Sequence, residues 1–113
     1  MTPIFKIVHA AEWAGVGDTY AGSEKDRADG FLHFSTAGQL IGTLTHYYAD
    51  ADDLLLVAVD AAALGEALKY EPSRDGALFP HLYGTLPREA VRWVKPILRD
   101  ARGAFVLPED VTA

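Results

Sequence analysis

"GFLHFSTAGQL", residues 30–40, decides how the rest of the chain is read. An apolar, β-rich run, Phe31 to Phe34, is interrupted by His33 and followed at once by two hydroxyl residues of the kind that start helices. Gln39 stands three positions after Thr36, a capping-box spacing, so the segment predicts a strand turning into a helix with Thr36 as its N-cap. Alternation along the strand puts Phe31, His33 and Ser35 on one face and Leu32 and Phe34 on the other. Along the helix, Leu40, Leu44, Tyr47 and Tyr48 fall at i, i+4, i+7 and i+8, so that stripe is expected to face the core. A core strand would be better served by Val or Ile at position 33. The imidazole is therefore either a brace bonded to the backbone or a group kept for a ligand.

Working outward, "IFKIVHA" alternates and predicts the first strand, and "AAEWAGVG" a short helical turn ended by Gly15 or Gly17. Residues 18–29, "DTYAGSEKDRAD", are polar and read as a long loop with room for a helical turn after Ser23; loops of that length are often functional. "DLLLVAVD" is apolar between two aspartates, the pattern of a central strand covered on both faces. A strand ending at Pro72 follows, then a turn at "SRDG" (73–76), then the extended "ALFPHLYG". Pro80 in that segment predicts an edge or a bulge. "LPREAV" predicts a helical turn and "VRWVKPIL" a last strand. The expected architecture is α+β, one small domain over residues 1–113, with a curved mixed or antiparallel sheet of about six short strands and one main helix.

Composition narrows the function classes. The chain has 113 residues, half of them hydrophobic, with 16 acidic against 10 basic side chains and a formal charge of −6. No cluster of Lys and Arg is present to neutralise phosphates along a long nucleic acid, so that class of partner is not expected. The longest apolar run, "LLLVAV", is far short of the roughly 20 residues a membrane span needs. Cysteine is absent, which removes disulfides and thiolate metal sites and fits a reducing cytoplasm. The start, "MTPIFKIVHAAEW", lacks the pattern of a signal peptide, so a cytoplasmic location is expected.

The candidate chemistry gathers in two matched stretches. "FPHLY" repeats the alternation of "FLHFS": Phe79, His81 and Tyr83 share a face as Phe31, His33 and Ser35 do. Each presents an aromatic ring, an imidazole and a hydroxyl at spacing two, which suits a neutral or sugar-like group beside a flat ring. His33 and His81 are therefore the leading functional candidates, with Ser35, Thr36 and Tyr83 as ligand-binding hydroxyls. The plainer alternatives are that both histidines brace the core and that Ser35 and Thr36 are helix caps. Helix N-terminal N–H groups also favour anions, so the same corner could seat a phosphate. Glu71, at the end of "LKYEP", is the carboxylate singled out for catalysis, against the reading of an ordinary surface glutamate. Trp13, before the 18–29 segment, and Tyr20, near its start, are core plugs or cleft walls, His46 is expected in solvent, and His9 has no evident partner. The four histidines show no metal-ligand spacing, so no metal is expected.

Together, "GFLHFSTAGQL", "DLLLVAVD", "KYEP" and "LFPHLYGTLPREAV" resemble the family called Domain of Unknown Function 952, in order and over nearly the whole chain. That resemblance implies an ADP-ribosyltransferase-like fold, in which a cleft between split sheets cradles NAD. Carried over, His33, Ser35 and Thr36 form the nicotinamide-side corner. Lys6 takes the first-strand position where a transferase carries His or Arg, a departure, and Glu71 stands in for a late catalytic glutamate that has no clear match. The resemblance implies a nucleotide-like small-molecule ligand, NAD foremost, and leaves the acceptor unnamed. The alternative is a non-catalytic small-molecule binding or protein-interaction domain.

Overall fold

The structure is a computed structural model that describes residues 3–73 and 76–111. The strand read from "IFKIV" forms as β1 (Pro3–His9), buried from Ile4 to Val8. It pairs antiparallel with β4 (Leu54–Asp60), from Pro3 opposite Asp60 to His9 opposite Leu54. On its other edge β4 pairs with β8 (Val91–Pro96), so the "LLLVAV" run is the central strand of a three-stranded sheet, as its apolar pattern predicts. Because side chains alternate across the pleat, the sheet feeds two cores. Ile4, Val8, Val57 and Val59 pack with Trp13, Tyr20 and Leu86; Phe5, Ile7, Leu56 and Ala58 pack with Leu40 and Leu44. A fully buried aliphatic side chain such as Ile4, Val57 or Leu40 contributes on the order of 1.5–3 kcal/mol.

Between β1 and β4 the chain runs through α1 (Ala10–Ala14), β2 (Thr19–Tyr20), α2 (Glu24–Asp29), β3 (Leu32–His33) and α3 (Leu40–Tyr47). A second three-stranded sheet is built from β3, β5 (Leu68–Pro72) and β6 (Leu78–Leu82), with β6 in the middle. The ribbon of β2 with β7 (Leu86–Pro87) and that of β9 (Leu98–Arg99) with β10 (Phe105–Val106) complete the described strands, all paired antiparallel. The two larger sheets touch through one bridge, where Phe5 and Ser35 exchange both backbone hydrogen bonds at 2.8 Å. This is a small α+β domain of several antiparallel sheets and few helices. No helix among the described residues is long and apolar enough to cross a membrane.

Several expectations need correction. The strands do not join one curved sheet of six; they form two three-stranded sheets and two ribbons. The helix after Ser35 starts as a 3₁₀ turn (Ala37–Gln39) and becomes α-helical only at Leu40. Of its predicted apolar stripe, Leu40 and Leu44 are buried and Tyr48 packs against the same core, but Tyr47, the last helical residue, is 53% exposed. Pro80 lies in the middle strand of the second sheet rather than at an edge. The β3 ladder ends at His33 opposite His81, so the N–H that proline lacks falls where pairing has stopped, while its carbonyl accepts from Phe34 N–H at 3.0 Å. The polar 18–29 segment holds both β2 and α2. The turn expected at 73–76 falls partly on Arg74 and Asp75, outside the described residues.

Candidate functional site

The site is organised by a residue that lies inside the supposed loop. Ser23 caps α2, its hydroxyl accepting from Asp26 N–H at 3.1 Å while the Asp26 carboxylate accepts from Ser23 N–H at 2.9 Å. Helix geometry thereby turns Asp26 inward, where it is 2% exposed. Its Oδ2 meets Lys6 Nζ of β1 at 2.9 Å, and its Oδ1 meets both His33 Nδ1 at 2.6 Å and His33 N–H at 3.2 Å. Lys6 Nζ also donates to the His33 carbonyl at 3.0 Å. One carboxylate thus ties β1, α2 and β3 together. Burial pushes the Asp26 carboxyl up, but the His33 hydrogen bond and the Lys6 charge outweigh it and hold the group below the usual carboxylate range. Gly22 closes the corner at φ +106°, a left-handed conformation, against Asp26.

His33 presents its other nitrogen, Nε2, to Asp29 Oδ2 at 3.0 Å, and Asp29 in turn pairs with Lys25 one helical turn earlier at 3.1 Å. Directly across the strand pair sits His81, with ring centroids 5.6 Å apart. Phe31 stacks on the His81 ring at 4.1 Å and touches the rings of His33 and Tyr83. Glu71 on β5 holds His81 Nδ1 at 2.9 Å and accepts from the Tyr83 hydroxyl at 2.7 Å. Those two bonds, Tyr83 first and His81 second, keep the Glu71 carboxyl below its ordinary range, and the same bond raises the Tyr83 phenol. When the neutral His81 ring donates a hydrogen bond from Nδ1–H to the Glu71 carboxylate, the lone pair lies on Nε2, the arrangement of an oriented general base.

Between the two sheets, beyond the Phe5–Ser35 bridge, opens a cavity of about 700 Å³. Lys6 and Ile7 of β1, His33 of β3, His81 of β6, Ser35 and Tyr48 are among the residues that line it. Ser35 is 4% exposed and shares a hydrogen bond with Thr43 at 3.2 Å. The Tyr48 phenol is pushed up to about 12, first by burial and then by the charges of Asp26 and Glu12.

Of the residues singled out from sequence, Lys6, His33, Ser35 and His81 meet around this cavity. Glu71 stands behind His81 as its partner, and Tyr83, 43% exposed, sits outside the cavity on Glu71. Thr36 is the N-cap of the 3₁₀ turn, its N–H bonded to the Gln39 side-chain oxygen at 2.9 Å. Trp13 and Tyr20 are core residues rather than cleft walls; their rings pack 5.5 Å apart, and the Tyr20 hydroxyl donates to Glu12 at 2.8 Å. His9 has a partner after all, Asp53 at 2.8 Å. Asp26, Asp29 and Glu12 were not expected. The Ser23-x-x-Asp26 spacing is the one sequence signal that points to Asp26. Among the described residues no group of three or more His, Asp or Glu is placed to hold a metal ion.

The chain belongs to the family described as protein of unknown function (DUF952), whose model matches residues 7–94. It is also similar to protein CC0527 from Caulobacter crescentus. The crystal structure of that protein is 41% identical, with a TM-score of 0.87 over 94% of this chain and 95% of that one. Its solution NMR structure is 43% identical, with a TM-score of 0.79 over 91% and 90%. No curated protein matches the chain.

Proposed function

We propose that the cavity binds a nucleotide-like small molecule, with NAD the first candidate, and that the domain is a cytoplasmic ADP-ribosyltransferase-like protein. The observation that carries this reading is the convergence of Lys6, His33, Ser35 and His81, from three strands and a loop, on one cavity of about 700 Å³. That volume lies within the roughly 300–1,000 Å³ of small-molecule sites. The groups supply what a ring and its sugar need: aromatic walls, imidazole nitrogens and a buried hydroxyl. His81, oriented by Glu71, is the residue assigned to proton transfer, and His33 and Ser35 to ligand binding.

A second reading, binding without turnover, is favoured by Lys6. At the first-strand position where a transferase presents its ligand-holding cation, Lys6 is committed to Asp26 and the His33 carbonyl. A thermal-shift titration with NAD, ADP-ribose and nicotinamide tests binding. Ligand at a hundred times Kd adds about 2.7 kcal/mol. Release of nicotinamide from NAD, followed by chromatography, separates the two readings. Absence of any shift at millimolar ligand sinks both.

A further inference from the structure

The charges around the cavity restrict what it encloses. Every lysine and histidine that lines it already faces a carboxylate. Lys6 is paired with Asp26 at 2.9 Å, and Lys25 with Asp29 at 3.1 Å. His33 bonds both of those aspartates, His81 bonds Glu71, and His9 bonds Asp53. A phosphate could claim Lys6, itself 5% exposed, only by leaving Asp26 charged, buried and unpaired. Glu12 and Glu24 also line the cavity and enter no ion pair among the described residues. No arginine among the described residues lines it either. The neutral part of the lining is aromatic and hydroxylic, with the Phe31 and Tyr48 rings and the Ser35 hydroxyl among it.

We infer that the cavity encloses the nucleoside part of its ligand, a flat ring with an attached sugar, and leaves any phosphate outside in solvent. This rests on the nucleotide-binding reading of the same site and adds a rule of selection to it. A neutral or ring-cation nucleoside meets no repulsion from the unpaired carboxylates, whereas an enclosed pyrophosphate meets theirs without a free countercharge.

The test is a calorimetric series on the intact protein with NAD, nicotinamide riboside, adenosine and inorganic pyrophosphate, at low and high salt. One of the two nucleosides is expected to match NAD within about threefold in Kd, a difference of under ~0.7 kcal/mol. Raising ionic strength from ~0.05 to ~0.5 M is expected to change that affinity less than about twofold, because no phosphate contact is being screened. Pyrophosphate is expected to give no heat and no competition. The inference is overturned if both nucleosides bind more than about tenfold weaker than NAD, or if pyrophosphate displaces NAD. A nucleoside that binds where NAD does not supports the inference and removes NAD as the ligand. Silence from all four compounds overturns the inference and the nucleotide reading together.

Discussion

Replacing Asp26 by alanine is the sharpest perturbation the structure offers. The substitution removes a carboxylate that is 2% exposed and leaves Lys6, 5% exposed, as a buried ammonium still donating to the His33 carbonyl but without its countercharge. It also strips an acceptor from His33 Nδ1, His33 N–H and Ser23 N–H. Breaking a buried pair by deleting one partner costs about 3–5 kcal/mol, a large share of the roughly 5–15 kcal/mol that holds a domain together. At about 4 °C per kcal/mol for a chain of this length, Tm should fall by about 12–20 °C. Urea denaturation followed by circular dichroism measures the loss directly. The double variant Lys6→Met with Asp26→Leu removes both charges and refills the volume, so it should recover most of that loss. An Asp26→Ala protein within about 1 kcal/mol of the parent would refute the reasoning. So would a double variant no more stable than the single one, since the cost would then come from shape rather than from a stranded charge.

Three further outcomes follow from the same corner. Asp26 is held below its unfolded value near ~3.9, so its stabilisation is fully present above about pH 5 and drains away as pH falls through that value toward the folded one. Acid titrations of stability should therefore be flatter below about pH 5 for Asp26→Asn than for the parent; parallel curves would contradict the assignment. Gly22→Ala forces a left-handed residue and brings its Cβ to 2.8 Å from Asp26 Cβ, so a loss of about 1–3 kcal/mol is expected by thermal unfolding; an unchanged Tm would show that the corner yields freely. Gln39 joins the 3₁₀ turn to β6 by accepting from Thr36 N–H and donating to the Leu78 carbonyl at 2.8 Å, so Gln39→Ala should cost about 1–2 kcal/mol in denaturant titration; a neutral result would mean water replaces both bonds.

How far the fold was legible depends on where hydrophobic pattern was the governing signal. The "LLLVAV" run declared a central strand because a strand covered on both faces has no polar side to show, and β4 is that strand. That "FLHF" and "FPHL" carry the same alternation was legible in the sequence, but their pairing, with His33 opposite His81, is a matter of tertiary register. Two-residue strands such as β2 and β7 are too short for alternation to register, so the division into several sheets could not be read. Pro80 misled because its allowed place in a middle strand depends on where the neighbouring ladder stops, which is a tertiary fact. Asp26 stayed hidden for a related reason. In a polar run such as "SEKDRAD" every charge looks solvated, and only the helix that Ser23 starts rotates this one toward Lys6. Trp13 and Tyr20 fitted a core or a cleft equally well until β2 and β7 paired and sealed them inside.

The central claim is that a ligand sits in the cavity lined by Lys6, His33, Ser35 and His81. The most direct measurement is a titration of ¹⁵N-labelled protein with NAD, following every backbone amide. Shifts should cluster at Lys6–Ile7, Phe31–Ser35 and Phe79–His81 around the cavity, and they should vanish in His33→Ala. Perturbations centred on the β9–β10 ribbon, or none at millimolar NAD, would contradict the claim.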